Sequence, residues 1–212
     1  VFAMGVGSLS AKPLQRWPVA WFSAVELTLA LLGGLSVLAL YAAFAYLAIY
    51  TTALVLVAFI LGLLIGAEIP LLMVLLQRIR PQDAGSAVAD LFAADYIGAL
   101  LGGLAFPFLL LPALGQLRGA IVVGLVNVVA GLLLVVVLFR RDLSRWGLVA
   151  VGAGATVVIT LLVAALAYAS TFEVTARQAL YRDPIVLAER TKYQEIVMTA
   201  RTSGESDDIR LF

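Results

Sequence analysis

The sequence predicts an all-α polytopic membrane helix bundle, with five complete spans plus part of another, followed by the start of a small antiparallel β-domain. Three observations carry this. The 212 residues are 63% hydrophobic and 13% charged, with a mean hydropathy of +1.08, well above soluble-domain composition. The apolar residues fall in runs long enough to cross a hydrocarbon core of roughly 30 Å, which takes about 20 helical residues. The charge is also uneven: residues 1–170 hold 8 Lys/Arg and 6 Asp/Glu, whereas residues 171–212 hold 6 and 7. The expected division is therefore a transmembrane domain over 1–170 and, over 171–212, a linker helix with the first β-strands of a second domain.

Taken in order, Val1–Gly7 reads as the end of a helix whose start is missing, and there is no initiator Met. Both ends of the chain are read as truncated. Ser8–Pro18 is a polar connection with Lys12 and Arg16, and Trp17 and Trp21 suit a membrane interface. Trp21–Leu76 is too long for one crossing, so it is read as two helices with a turn near Tyr46–Thr52. The second carries a GxxxG pattern at Gly62 and Gly66 and a helix-kinking Pro70. Gln77–Asp90 reads as a loop. Leu91–Pro112 is the next span, Pro112–Arg118 a short turn, and Gly119–Phe139 a further span with a lone Asn127. Arg140–Arg145 is the most basic loop, and Trp146–Ser170 is the last span.

Beyond Ser170 the pattern changes. Phe172–Tyr181 extends as a helix, Asp183-Pro184 stops it, and Ile185–Glu189, Tyr193–Thr202 and Asp208–Phe212 read as strands, with Ser203–Ser206 as a turn. Three short strands with an open edge make a weak independent unit, so the sheet is expected to continue elsewhere.

Cysteine and histidine are absent. This excludes disulfides, thiolate or imidazole metal sites and Ser-His or Cys-His nucleophiles within these residues. No metal site, no catalytic residue and no nucleic-acid partner is expected; the bilayer is the expected partner. The polar candidates lie inside apolar runs. Glu68 precedes Ile69-Pro70 and is read either as a polar site for an ion or a cationic substrate or, structurally, as a group that satisfies a neighbouring helix or lies near the interface by the 77–90 loop. On an ideal helix it points about 200° away from Gly66, so the glycine seam and the carboxylate face different neighbours. Asp95, followed by Tyr96, is read either as a cation contact or as a first-turn acid complementing the helix dipole. Asp95, Gly98, Ala99 and Gly102 share one face, which predicts close packing against another helix. Glu26, near a helix end, is read as an interface residue. The glycine patterns are read as packing devices, not nucleotide loops.

Three motifs in order, Gly66-Ala-Glu-Ile-Pro-Leu-Leu72, Asp95-Tyr-Ile-Gly-Ala-Leu-Leu-Gly102 and Pro107-Phe-Leu-Leu-Leu-Pro-Ala-Leu-Gly115, together with Leu187–Met198, carry a resemblance. The chain resembles the membrane region and first catalytic-domain strands of bacterial membrane-bound spermidine synthase-like proteins, which are polyamine aminopropyltransferases with an N-terminal multi-span region. The resemblance implies transfer of an aminopropyl group from decarboxylated S-adenosylmethionine, a co-substrate, to putrescine or another amine in polyamine biosynthesis. It implies a multi-pass protein of the bacterial inner membrane. It also implies that Gln194, in a Tyr-Gln-x-Ile strand, contacts the donor. The remaining catalytic machinery would lie beyond Phe212, so these residues alone should be inactive, and no cofactor is expected within them. The alternative is a transporter or permease-like protein for a cationic small molecule such as a polyamine, with Glu68 and Asp95 as its cation contacts.

Orientation carries a conflict. The loops at 8–20, 77–90 and 140–145 fall on one side if every span crosses, and they hold Lys12, Arg16, Arg78, Arg80, Arg140, Arg141 and Arg145. The positive-inside rule places them in the cytoplasm and the tail outside. The resemblance, through its cytoplasmic donor, implies a cytoplasmic tail.

Overall fold

In the computed structural model, residues 1–47, 49–80, 83–179, 183–190, 195–203 and 206–211 are described. Six α-helices precede three strands: α1 Phe2–Ser10, α2 Pro18–Ala42, α3 Tyr50–Ile79, α4 Ala84–Ala105, α5 Leu111–Leu138, α6 Arg145–Ala179, then β1 Ile185–Arg190, β2 Glu195–Ser203 and β3 Ser206–Leu211. Among the described residues four stretches are long and apolar enough to cross a membrane: Pro18–Leu47, Tyr50–Ile79, Ala84–Leu138 and Arg145–Ala176.

The helix starts follow from local chemistry. Pro18 opens α2, where its missing N–H is no loss. Asp83 caps α4, accepting from the Ser86 amide at 3.0 Å and from its hydroxyl at 2.8 Å. These bonds hold the Asp83 carboxyl below its ordinary pKa. Ser144 caps α6, its Oγ accepting from the Gly147 amide at 3.0 Å. Capping shortens the expected 77–90 loop: α3 runs to Ile79 and α4 already starts at Ala84. The hydroxyls of Ser23, Thr28, Thr156 and Thr160 donate to carbonyls four residues back in their own helices. Polar side chains are thereby satisfied without water inside apolar helices.

The turn expected near Tyr46–Thr52 is present, with a π-helical turn at Ala43–Leu47 before α3 begins at Tyr50. Pro70 lies inside α3, which stays helical from Tyr50 to Ile79. A second π-helical turn, Phe106–Leu110, joins α4 to α5. The turn expected at 112–118 contracts to Gly115, whose φ of 76° interrupts the helical path; this left-handed region costs glycine little. After that corner the chain doubles back, and a Cβ at Gly119 would meet the Phe106 ring at 3.4 Å.

Two apolar clusters mark the two ends of the bundle. One joins Val19, Phe22 and Val25 of α2, Leu71 and Leu75 of α3, and Val135 and Phe139 at the end of α5, with Leu14 and Leu143 beside them. The other joins Ala30 of α2, Leu117, Ile121 and Val128 of α5, and Val158, Leu162 and Ala169 of α6. α2 is the hub, packing on α3, α5 and α6, while α1 lies along α3.

The glycine seams have partners. A Cβ at Gly66 would fall on the Met4 backbone, and one at Gly7 on the Leu63 carbonyl, so the GxxxG face of α3 receives α1. On α5, a Cβ at Gly124 would stand 2.6 Å from the Ala30 carbonyl oxygen and 2.9 Å from the Gly34 Cα. Backbones approach this closely only where side chains are absent.

α6 runs unbroken through the expected division at 170/171 and ends at Ala179. The three strands form an antiparallel sheet of order β1-β2-β3, as the sequence predicts. A register shift between Ile185 and Leu187 irregularises the first pair.

Candidate functional site: a polar group inside the bundle

The most concentrated polar chemistry among the described residues lies where α2, α3 and α5 meet. Glu26 projects from α2 and is only 8% exposed. Asn127 Nδ2 on α5 donates to Glu26 Oε2 at 2.8 Å. Gly131, one turn further along α5, leaves room for the Glu26 stem; a Cβ there would meet it at 3.2 Å. From α3, the Glu68 carboxyl lies within hydrogen-bonding contact of Glu26. Asp95 on α4 is near enough for its charge to be felt at Glu68.

Glu26 therefore corrects its reading as an interface residue. It stands eight residues into α2 and would be near a headgroup on a lone helix. Packing by α5 and α3 closes water off from it instead. Its partners are 42 and 101 positions away in sequence, so no local pattern reveals the group. The only sequence signal was the coincidence of three lone polar residues, Glu26, Glu68 and Asn127, each on its own apolar helix.

Of the two readings of Glu68, the group satisfying a neighbouring helix describes its observed contacts. Glu68 faces α2 while Gly62 and Gly66 face α1, in line with the helical angle between them. The Glu26 and Glu68 carboxyl groups face each other between α2 and α3. Asn127 adds one donor from a third helix. The arrangement can bind helices together, hold a proton or meet a cation; among the described residues no cluster of metal-ligating side chains is found.

Asp95 and Tyr96 do not join this group by contact. Both are exposed on α4, Tyr96 by 71%, and its ring stacks on Phe92 at 6.3 Å between centroids. The expected packing of the Asp95, Gly98, Ala99 and Gly102 face is corrected as well. A Cβ at Gly98, Gly102 or Gly103 would meet nothing within 4 Å. α4 is held at its ends, by buried Ala87 and by the turn that folds onto α5, and its middle turns away from the other helices. Asp83, not Asp95, is the acid at the start of this helix.

A second feature lies toward the opposite end of α2. A cavity of about 410 Å³ is lined by Val37, Leu40, Tyr41 and Phe44, by Tyr50 at the start of α3, and by Gln116 just after the Gly115 corner. Phe44 and Tyr50 meet edge to face at 5.7 Å. The corner after α2 and the corner before α5 thus share one end of the bundle.

At the junction with the sheet, Gln178 near the end of α6 makes two backbone contacts. Its Nε2 donates to the Asp183 carbonyl at 3.1 Å, and its Oε1 accepts from the Ile185 amide at 2.9 Å. No local sequence pattern points to this role. Gln194, the expected donor contact, lies outside the described residues.

Comparison with known proteins agrees with the resemblance read from the motifs. The chain is 58% identical over 213 residues to polyamine aminopropyltransferase 1 of Streptomyces coelicolor and 52% identical over 222 residues to polyamine aminopropyltransferase 2 of the same organism. It is 45% identical over 218 residues to the polyamine aminopropyltransferase of Mycobacterium tuberculosis. In each case the whole of this chain is matched, and it spans only 40–41% of the relative's length. No protein-family model and no solved structure matches the chain.

Proposed function

We propose that these residues are the membrane domain and domain junction of an aminopropyltransferase of the spermidine synthase type. The enzyme would move an aminopropyl group from decarboxylated S-adenosylmethionine to putrescine or another amine. The carrying observation is identity of 45–58% along the entire chain to proteins named polyamine aminopropyltransferases. Those names speak for an enzyme over the transporter alternative.

Within this reading, residues 1–170 form the multi-pass bundle in the bacterial inner membrane, and residues 171–212 form the linker and the opening strands of the catalytic domain. The 55-residue apolar stretch from Ala84 to Leu138 crosses twice, turning at Gly115, which gives five crossings besides α1. Gln194 contacts the donor. The Glu26–Glu68–Asn127 group serves first as an interhelical tie, while Glu68, Asp95 and Tyr96 remain the intramembrane positions for an amine to meet.

The test uses the full-length protein in detergent or proteoliposomes, decarboxylated S-adenosylmethionine and a panel of amines, with methylthioadenosine release as readout. Turnover with at least one amine is expected. Gln194→Ala should raise KM for the donor about tenfold, as loss of one hydrogen bond to a charged ligand does. Absence of turnover with every amine would remove the enzyme reading.

A further inference from the structure

The cavity at the end of α2 is built from two kinds of surface. Val37 and Leu40 are aliphatic, while Tyr41, Phe44 and Tyr50 contribute rings. Phe44 and Tyr50 stand at 73° to one another with centroids 5.7 Å apart, so they form two adjoining walls. Gln116 supplies a side-chain amide from α5. Among the described lining residues none carries a formal charge. Arg118 follows Gln116 by two positions, which places it about 200° round an ideal helix from that amide.

Breaks in regular helix bring these side chains together. The Ala43–Leu47 π-helical turn carries Phe44 into the lining, and Gly115, with its φ of 76°, starts the stretch of α5 that presents Gln116. The second π-helical turn, Phe106–Leu110, packs beside this stretch, with the Phe106 ring at Gly119. π-helical turns are frequent at functional sites. Tyr41 lies about 34 Å along α2 from Pro18, just past the thickness of a hydrocarbon core of roughly 30 Å. The cavity thus stands at the boundary between lipid and water, where a dissolved ligand can reach it. α6 packs on the same Ala43–Leu47 turn and then leads to the sheet.

We propose that this cavity binds the ammonium group of a small organic cation that carries an alkyl chain. Faces of Tyr and Phe rings attract an ammonium ion within about 6 Å of their centroids. The aliphatic surface of Val37 and Leu40 takes the attached chain, and the Gln116 amide oxygen accepts from an N–H where the ammonium has one. The volume of about 410 Å³ falls in the range of small-molecule pockets. With no acid in the described lining, the rings supply the attraction, which favours a single ammonium group over a polycation held at several points. Two sources present this chemistry: a free amine in solution, and the ethanolamine or choline headgroup of a lipid. The proposal rests on the cavity and not on the aminopropyl-transfer reading.

The test is equilibrium dialysis of radiolabelled butyltrimethylammonium against the full-length protein in an uncharged maltoside detergent. The nitrogen of this probe has no lone pair to receive an aminopropyl group, so it reads binding and not turnover. Saturable binding is expected. Unlabelled choline should displace the probe, and its uncharged carbon isostere dimethylbutanol should not. Phe44→Leu and Tyr50→Leu, both at exposed positions, should each weaken binding about tenfold, the loss of one partly desolvated cation–π contact. Phe44→Tyr keeps a ring and should stay within about threefold. Tyr41→Leu serves if either Leu variant fails to fold. Displacement by butylamine but not by added phosphatidylethanolamine marks a free amine as the occupant, and displacement by the lipid marks its headgroup. No saturable binding, equal displacement by dimethylbutanol, or unchanged affinity in the folded ring-removing variants would overturn the proposal. Methylthioadenosine release by the same preparations reports the aminopropyl reading separately.

Discussion

Two faces of this molecule are built from the same small residues and end in opposite states. On α5, Gly124 and Gly131 flank Asn127, and the α2 backbone, with Glu26, fills the groove they open. On α4, Gly98 and Gly102 follow Asp95 with similar spacing, and the groove stays empty. The spacing of small residues specifies that a backbone could come close. It does not specify that one does. What distinguishes the two is the partner: α2 offers its own glycine, Gly34, and an acid that Asn127 can bond, whereas no described helix is positioned over the middle of α4.

The largest expected effect comes from filling the closed groove. Gly124→Leu puts side-chain atoms where the Ala30 carbonyl and the Gly34 backbone already stand, and backbone cannot yield as a flexible side chain would. A loss of about 3 kcal/mol is expected, the upper range for overpacking, visible in detergent as a lower unfolding midpoint or failure to fold. Survival with wild-type stability would mean that the α2–α5 seam is not as tight as described.

A smaller effect is expected from Asn127→Leu, which removes the donor to Glu26 and keeps the volume. Interhelical hydrogen bonds in membranes are worth about 1 kcal/mol or less, so the unfolding midpoint should fall measurably without loss of the fold. Pairing that change with Glu26→Leu should cost less than the sum of the two single changes, because the bond they share is lost only once. An additive double variant would sever Asn127 from Glu26 energetically.

The smallest effect belongs to the open face. Gly102→Ala meets nothing and exchanges a poor helix former for a good one. Its effect should lie within about 0.5 kcal/mol, on the stabilising side. A marked destabilisation of the full-length protein would show that another part of it covers α4, and the comparison would then become one between two closed grooves.

These contrasts explain how far the sequence could be read. Helix existence was legible because apolar runs have one physical explanation at this length. Helix limits were less so: Gln77–Asp90 looks polar enough for a loop, yet Asp83 and Ser86 turn it into a helix start. The opposed faces of Gly66 and Glu68 followed from 3.6 residues per turn alone. The burial of Glu26 did not follow, because position along one helix cannot say what two other helices will shield. The openness of α4 was missed for the same reason. The sheet was legible from β-branched alternation and its register was not, since the irregularity at Ile185 and Leu187 depends on pairing.

The bond pattern of Gln178 has a mechanical consequence. An amide that bonds the chain both at Asp183 and at Ile185 ties the end of α6 to the start of β1. Two hydrogen bonds from one side chain thus couple the last turn of α6 to the first residue of the sheet.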